Sequence, residues 1–310
     1  MKKFLLLSVA ALASTTTAFA AGGSRLEKVT GTDEYGATQV VTYEYDTQGR
    51  LSKIVEPYDE TITFDYTRLA EGIVKVVETE PHGSYSYEAQ LNEQGYVAVF
   101  KEDEAGGGDT WTLTYDADGR LVNVTIKDLY DAGPEVYDIT YTAGSITSWK
   151  YTDKREAGYY EESNAVVTNT EYDNVAPLYN IEGLLEIDID QLEYMSAAGY
   201  LGVAPAKLPA SVEITESDGE KEREVFTWTV DANNYPVKLK VEDTYDNELE
   251  VSNLEFVWSV DTAIDSVTAD TNSEIEAVYG LDGVKRNELA PGLNIVRHAD
   301  GTISKVIVNP

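Results

Sequence analysis

The two histidines are the residues that would most directly supply acid–base chemistry or bind a transition metal. His82 is followed by Gly83, and His298 comes two residues before the pair Asp300-Gly301. Both positions are typical of turns, whereas a zinc centre or a serine triad needs several such groups brought together. The chain also has no cysteine, which excludes thiolate ligands, a cysteine nucleophile and disulfides.

The abundant carboxylates raise two further kinds of chemistry, of which the first is calcium binding. The segment Asp116-Ala117-Asp118-Gly119 resembles the start of an EF-hand loop. The complete loop needs an oxygen ligand at its fifth position and a glutamate at its twelfth. Arg120 and Lys127 occupy those positions. We therefore interpret this segment as a turn.

The second kind is glycoside hydrolysis, which uses two carboxyl groups roughly 5 to 9 Å apart. Glu161 and Glu162 follow Tyr159 and Tyr160, a combination that suits a sugar site, but an exposed strand edge explains it equally well. Among 56 acidic residues some pair acquires this spacing by chance. A nucleophile elbow is absent, and the glycines at 106–108 lack the Lys-Ser/Thr of a phosphate loop. We predict no enzyme, no cofactor, no catalytic residues and no metal site; a ligand-binding site remains unknown.

The net charge of the chain is -33. Such a charge repels nucleic acids and anionic lipid surfaces, so nucleic acid is excluded as a partner. Two interpretations of the acidity remain, a solvated surface that resists aggregation and the binding of cations or of a basic partner.

The first twenty residues have the pattern of a secretory signal peptide. Lys2 and Lys3 precede an apolar stretch that is too short to span a bilayer, and Ala18-Phe19-Ala20 forms a small-residue cleavage site. We expect an exported protein in the periplasm, at the cell surface or in the medium. A lipid anchor would need a cysteine at the cleavage site, so we do not expect a lipoprotein.

The segment from 38 to 151 predicts antiparallel strands joined by a recurring turn. Residues 41–45, 111–115 and 137–141 alternate apolar and polar side chains and are rich in Val, Ile, Thr and Tyr, as strands with one buried face are. Between strands, Asp or Asn is followed three residues later by Gly, or by Asn234 in one variant. The first residue accepts hydrogen bonds from the turn, and the last adopts a left-handed conformation.

The segment that follows Asn174 favours a short helix. Apolar residues recur at spacings of three and four up to Met195, Asp188 or Asp190 could cap the helix, and the helix should end by Ala198. We consider two roles for it, a plug that packs on the sheet and a binding lid.

Two resemblances concern this part of the chain. Tyr45-Asp46 with Gly49-Arg50-Leu51, and Tyr115-Asp116 with Gly119-Arg120-Leu121, resemble the tyrosine-aspartate repeats of bacterial surface proteins. Gly199-Tyr200-Leu201-Gly202, Leu208-Pro209-Ala210-Ser211 and Asn234-Tyr235-Pro236-Val237-Lys238 are similar to a family of exported Bacteroidetes proteins, a domain of unknown function with a porin-like fold. That resemblance implies a meander that curls into a barrel-like or strongly bent sheet. We nevertheless expect no membrane insertion, because the outward faces carry many charges.

The C-terminal region predicts a small separate sheet. Residues 262–274 read as a linker, and short strands follow around the turns Asp282-Gly283 and Asp300-Gly301. Residues 278–285, 291–297 and 305–308 resemble the modules that sort exported Bacteroidetes proteins through type IX secretion. The resemblance implies a partner, the export machinery; the alternative is a small β appendage with no sorting role.

The predicted organisation is a signal peptide at 1–20, an all-β domain with a short helix at 21–261, a linker at 262–274 and a β module at 275–310. We expect a noncatalytic envelope or secreted protein, structural or adhesive in role. The alternative is a protein that binds a small ligand or glycan inside the curved sheet, in a pocket lined by Trp111, Trp149, Trp228 or Trp258.

Overall fold

A computed structural model describes residues 25–32, 37–102, 108–128, 130–156, 158, 160–175, 192–245, 248–259, 275–279, 285–286, 292–298 and 303–308. The signal peptide, the linker, the candidate caps Asp188 and Asp190 and the C-terminal turns lie outside these residues. The chain divides into two compact units, which meet in sequence after Ser259. No helix in the described residues is long and apolar enough to cross a membrane.

The first unit is a closed barrel of sixteen strands, each paired antiparallel with its neighbours, and it closes where the first strand pairs with the last, as Leu26 does with Trp258. The predicted all-β fold and its curled meander are confirmed. The strands are β1 (Arg25–Thr32), β2 (Thr38–Tyr45), β3 (Leu51–Val55), β4 (Thr61–Asp65), β5 (Ile73–Glu80), β6 (Gly83–Leu91), β7 (Val97–Glu102), β8 (Thr110–Tyr115), β9 (Leu121–Lys127), β10 (Glu135–Thr142), β11 (Ser145–Asp153), β12 (Glu161–Asp173), β13 (Lys207–Thr215), β14 (Lys221–Val230), β15 (Pro236–Tyr245) and β16 (Glu248–Ser259).

The inward face of the barrel is apolar. Every one of the sixteen strands contributes buried apolar side chains to one continuous cluster. Adjacent residues on β12 illustrate the alternation: Val167 is 6% exposed and faces inward, whereas Val166 is 64% exposed. Burial on one face at a period of two is what the alternating sequence dictates.

A short helix, α1 (Leu192–Ala197), belongs to the same cluster. Leu192 and Met195 are fully buried, so the helix packs its apolar side chains against the inward face. The predicted helix, its end and its packing on the sheet are confirmed. After the helix, Gly202 adopts a φ of +91°, and a Cβ there would lie 2.4 Å from the Gly119 carbonyl oxygen. Only glycine therefore allows this segment to approach the β8–β9 turn so closely.

The predicted turns form as hairpins at one end of the barrel, which we call the hairpin end. In the β2–β3 turn, Asp46 Oδ1 accepts hydrogen bonds from the amides of Gln48 and Arg50 at 2.8 and 2.9 Å, and Oδ2 accepts one from Arg50 Nε. Gly49 has a φ of +83°. In the variant turn, Asn234 replaces this glycine with a φ of +65°, as predicted.

The tyrosine and arginine of the repeated motif link each turn to neighbouring strands. The Tyr45 hydroxyl donates to the Leu26 carbonyl at 2.8 Å, and Tyr115 donates to the Val97 carbonyl at the same distance. The Arg50 guanidinium lies 4.2 Å from the centroid of the Tyr66 ring, close enough for a cation–π contact. The motif thus holds strand ends as well as turns.

We expect Asp116→Ala to lower the free energy of unfolding by about 1 to 2 kcal/mol, because three hydrogen bonds in the β8–β9 turn lose their acceptor. These come from the Asp118 amide and from the amide and Nε of Arg120. Urea unfolding measures the change. Asp118→Ala is the control: its side chain is 71% exposed and only pairs with Arg120, so it should cost less than about 0.5 kcal/mol. Equal losses in the two variants would contradict this account of the turn.

The second unit contains a four-stranded sheet. Its strands are β17 (Ile275–Tyr279), β18 (Lys285–Arg286), β19 (Gly292–His298) and β20 (Ile303–Val308), in the order β18-β17-β19-β20. Val278 and Val296 oppose each other across β17 and β19, and both are buried. The small separate C-terminal sheet is as predicted.

Candidate functional site at the acidic end of the barrel

The end of the barrel opposite the hairpin end carries carboxylates at inward positions of the strands. We call it the acidic end. On β5, for example, Val74, Val76 and Glu78 are alternate residues, all three buried. Acidic side chains continue the inward alternation of β3, β4, β5, β8, β9, β10, β11, β14 and β15, and they are Glu56, Glu60, Glu78, Glu80, Asp109, Asp128, Glu135, Asp153, Glu224 and Asp243.

Four of these carboxylates come from three adjacent strands, and we call them the glutamate cluster: Glu56, Glu60, Glu78 and Glu80. Glu56 directly follows β3, and its amide donates to the Glu60 carbonyl at 2.9 Å, which extends the β3–β4 pairing by one step. Glu78 pairs with Ile62 across β4 and β5. Carboxylate oxygens of Glu60, Glu78 and Glu80 all lie within 4.8 Å of one another.

The cluster is partly sealed from solvent. Glu56 is 4% exposed and Glu78 is 7% exposed, whereas Glu60 and Glu80 are partly exposed. The Tyr87 hydroxyl donates to Glu78 Oε2 at 3.1 Å. Within the described part of the chain, Glu56 Oε2 is buried and has no hydrogen-bond partner. An unsatisfied buried carboxylate oxygen is energetically costly.

Burial and the repulsion of neighbouring carboxylates raise the pKa of two residues of the cluster, Glu56 and Glu60. Burial, followed by the negative charges of Glu60 and Glu78, raises the pKa of Glu56 to about 8. Burial, a hydrogen bond to Glu78, and the charges of Glu78 and Glu80 raise the pKa of Glu60 to about 7. Glu56 and Glu60 therefore ionise less readily near neutral pH than an ordinary glutamate does, unless a positive charge joins them.

The helix α1 lies close enough to the glutamate cluster for the charges of Glu56 and Glu78 to affect Tyr194. Burial raises the pKa of the Tyr194 hydroxyl, and the charges of Glu193, Glu78 and Glu56 raise it further. The glutamate cluster thus acts on the barrel interior as well as on the rim.

A second acidic pair, Asp109 and Asp128, lies at the ends of the neighbouring strands β8 and β9. Burial, a hydrogen bond to Asp128 and the charges of Asp128, Glu102 and Asp131 raise the pKa of Asp109 from 3.8 to about 6. Carboxyls that share a proton in this way cannot both ionise without cost.

The pair predicts a pH dependence of stability. Because the pKa of Asp109 is higher in the folded state, its protonated carboxyl favours folding below about pH 4. This contribution to stability is lost as the pH rises through about 6. We expect Asp109→Asn to match the parent at pH 4 and to be more stable by about 1 kcal/mol at pH 7.5, a value reduced for solvent screening. Chemical denaturation at several pH values measures it.

The control for this prediction is Asp138→Asn. Asp138 is exposed on β10 and accepts a hydrogen bond from Asn123 Nδ2, so its variant measures the effect of removing one exposed negative charge. A profile for Asp109→Asn that stays parallel to the parent at every pH would contradict the assignment.

The residues that the sequence singled out for chemistry do not converge. The Asp116 carboxylate accepts hydrogen bonds within its own turn. Glu162 pairs with Lys150 at 2.7 Å on the barrel exterior, and His82 lies in the β5–β6 turn. Tyr159 lies outside the described residues.

The four tryptophans contact other aromatic rings or donate to backbone carbonyls, and the buried Trp149 Nε1 has no hydrogen-bond partner among the described residues. Trp111 meets the Phe100 ring edge to face at 5.5 Å, and Trp149 meets Tyr137 at 6.1 Å. Trp228 and Trp258 donate their indole N–H groups to the Pro209 and Pro236 carbonyls at 2.7 and 2.6 Å.

The sequence does hold a signal for the glutamate cluster. Glu56 lies two residues after the inward Ile54, Glu60 two before the inward Ile62, and Glu78 two after the inward Val76. An acidic residue that continues the inward alternation of a strand is unusual, because burying a charge is costly. The signal is therefore the position of each acidic residue in the strand alternation, and not the number of acidic residues.

Comparisons with known proteins agree with the architecture. The chain is similar to a porin-like protein from Bacteroides uniformis, with 15% identity, a TM-score of 0.56, and coverage of 76% of this chain and 96% of that one. A porin-like protein from Bacteroides vulgatus gives 13% identity and a TM-score of 0.54, covering 76% of this chain and 99% of that one. These likenesses show the fold. No curated protein matches the sequence.

The model of one protein family matches residues 55–238, more than half of the chain. The match includes most of the barrel, the helix α1 and all four residues of the glutamate cluster. The chain therefore belongs to the family described as a domain of unknown function (DUF4595) with porin-like fold.

Proposed function

We propose that this chain is an exported, noncatalytic protein of the cell envelope or the surrounding medium, whose barrel is a solid body in water and not a pore. The observation that carries the proposal is the direction of the hydrophobic pattern. The inward face is a continuous apolar cluster, whereas a transmembrane barrel places its apolar band outside and polar residues inside.

The outward face supports the same proposal. Cross-strand ion pairs lie on it, such as Lys238 with Glu255 and Lys221 with Glu213. Outward apolar side chains are spread over several strands, such as Val40 on β2 and Val166 on β12, and on β16 the outward Glu255 separates Val257 from Leu249 and Val251. Each lysine facing lipid at the bilayer midplane would cost about 2 to 4 kcal/mol. Such an outward face is typical of a barrel surrounded by water and not by lipid.

The alternative, a ligand or glycan bound inside the barrel, needs interior space beside the tryptophans. Their packing against Phe100, Tyr137, Phe256 and backbone carbonyls argues for a filled interior. A structural or adhesive role fits this interior better than an enzyme or an internal binding site does.

Purification of the mature chain without detergent, followed by a dye-leakage assay on liposomes, tests the proposal. We expect a soluble, folded protein that releases no dye and produces no conductance steps in a planar bilayer. A requirement for detergent together with discrete conductance would overturn it.

The C-terminal sheet is proposed to serve as an address for the export machinery. Deleting residues 275–310 should trap the folded barrel in the periplasm, whereas the full chain reaches the surface or the medium. Unchanged export of the truncated chain would end this part of the proposal.

A further inference from the structure

We propose that the glutamate cluster is a binding site for one divalent cation, and that Ca²⁺ is the cation it fits. The site consists of Glu60, Glu78 and Glu80, whose carboxylate oxygens lie within 4.8 Å of one another. Glu56 adjoins it, because its amide donates to the Glu60 carbonyl at 2.9 Å across the extended β3–β4 pairing. No assigned function of the fold accounts for these residues, and the inference is independent of the structural role proposed above.

The state of Glu56 distinguishes this site from an ordinary acidic surface. Exposed acidic groups cluster often, because water solvates them. Glu56 is instead 4% exposed, and its Oε2 atom has no hydrogen-bond partner among the described residues. Its neighbour across the extended β3–β4 pairing is Glu60, a second carboxyl group at an inward position. A bound cation would satisfy this oxygen and offset the repulsion at the same time.

The donor set indicates the class of cation. The three converging ligands, Glu60, Glu78 and Glu80, and the neighbouring Glu56 are all carboxylates. Hard oxygen donors without imidazole or thiolate suit Ca²⁺, Mg²⁺ or Mn²⁺ in preference to zinc or copper. Ca²⁺ binds oxygen at about 2.3 to 2.6 Å in flexible geometry, so ligands across one ion lie up to about 5 Å apart. Mg²⁺ demands a tighter octahedron at about 2.1 Å. The observed spread and the partly exposed rim, which admits water ligands, favour Ca²⁺.

The site would join three strands and their connection. Glu56 follows β3, Glu60 precedes β4, and Glu78 and Glu80 end β5, so one ion would cross-link all three at the acidic end. Calcium binding should therefore stabilise the barrel, since a ligand that binds only the folded state raises the unfolding temperature.

Isothermal titration of the EDTA-treated full chain with CaCl₂ at pH 7.5 tests the proposal, with thermal unfolding as the second measurement. We expect one saturable site, a rise in unfolding temperature with calcium concentration, and binding of MgCl₂ at least about tenfold weaker. Tb³⁺ should give tyrosine-sensitised luminescence that Ca²⁺ displaces, because Tyr87 donates a hydrogen bond to Glu78.

Glu78→Gln and Glu56→Gln should each weaken calcium binding by about tenfold or more and remove most of the thermal shift. Asp243→Asn is the matched control: Asp243 is also an inward carboxylate at the acidic end, and its Oδ1 is buried with no hydrogen-bond partner among the described residues. It should leave both readouts unchanged.

Three results would overturn the proposal. One is the absence of saturable binding at millimolar calcium, and another is binding by Glu78→Gln and Glu56→Gln as tight as that of the parent. The third is a loss of binding in Asp243→Asn equal to theirs, which would indicate a general effect of the negative charge. Equal affinity for Mg²⁺ would overturn the assignment of Ca²⁺.

Discussion

Replacing Phe100 with alanine is expected to lower the free energy of unfolding by about 3 to 5 kcal/mol, the range for a large aromatic residue removed from a well-packed core. Phe100 lies on β7 and is fully buried. Its ring stacks on Tyr87 at 5.3 Å and meets Trp111 at 5.5 Å. The substitution leaves a cavity between three strands, and these two large rings cannot collapse into it without leaving their own contacts.

Equilibrium unfolding in urea, followed by tryptophan fluorescence and circular dichroism, measures this change. Tyr130→Ala is the control, because its side chain is 84% exposed and its loss should cost less than about 0.5 kcal/mol. A loss below 1 kcal/mol for Phe100→Ala would contradict a filled interior, since it would mean that water already occupies the space around the ring.

Local sequence patterns predict most of the strands and turns. Alternation at residues 111–115 identifies β8, and Asp116 with Gly119 identifies the turn that follows, because both signals act over a few neighbouring residues. The short helix is also readable from the spacing up to Met195. These elements need no knowledge of distant contacts.

Barrel closure is harder to predict from the sequence, because it depends on pairing between β1 and β16. Leu26 pairs with Trp258 more than two hundred residues away, and neither residue carries a local signal for that register. The candidate site has the same difficulty. Glu60 precedes β4, whereas Glu78 and Glu80 lie on β5, and only the register of β4 and β5 brings their carboxylates together.

The porin-like fold and the absence of a proposed pore are compatible, because strand pairing and side-chain pattern are separate properties. Strand number and antiparallel pairing define the barrel, whereas the faces of the strands decide which solvent each side meets. Here every strand buries apolar residues on the inward face. This orientation predicts opposite effects for neighbouring residues on one strand.

Val166 and Val167 on β12 provide the second large effect. Val167 faces inward opposite the fully buried Val212, whereas Val166 faces outward opposite Glu213. Val167→Asp would bury an unpaired carboxylate and should cost more than about 3 kcal/mol. Val166→Asp should cost less than about 1 kcal/mol, which includes some repulsion from Glu213.

The claim that the apolar face of the barrel points inward is tested most directly by the unfolding free energy of these two variants in detergent-free buffer. The milder pair Val167→Thr and Val166→Thr is measured as well, in case Val167→Asp fails to fold. We predict a loss of about 1 to 2 kcal/mol for Val167→Thr and less than about 0.5 kcal/mol for Val166→Thr. The reverse order, with the outward substitutions costing more, would contradict the claim and would indicate a barrel whose outer face is the apolar one.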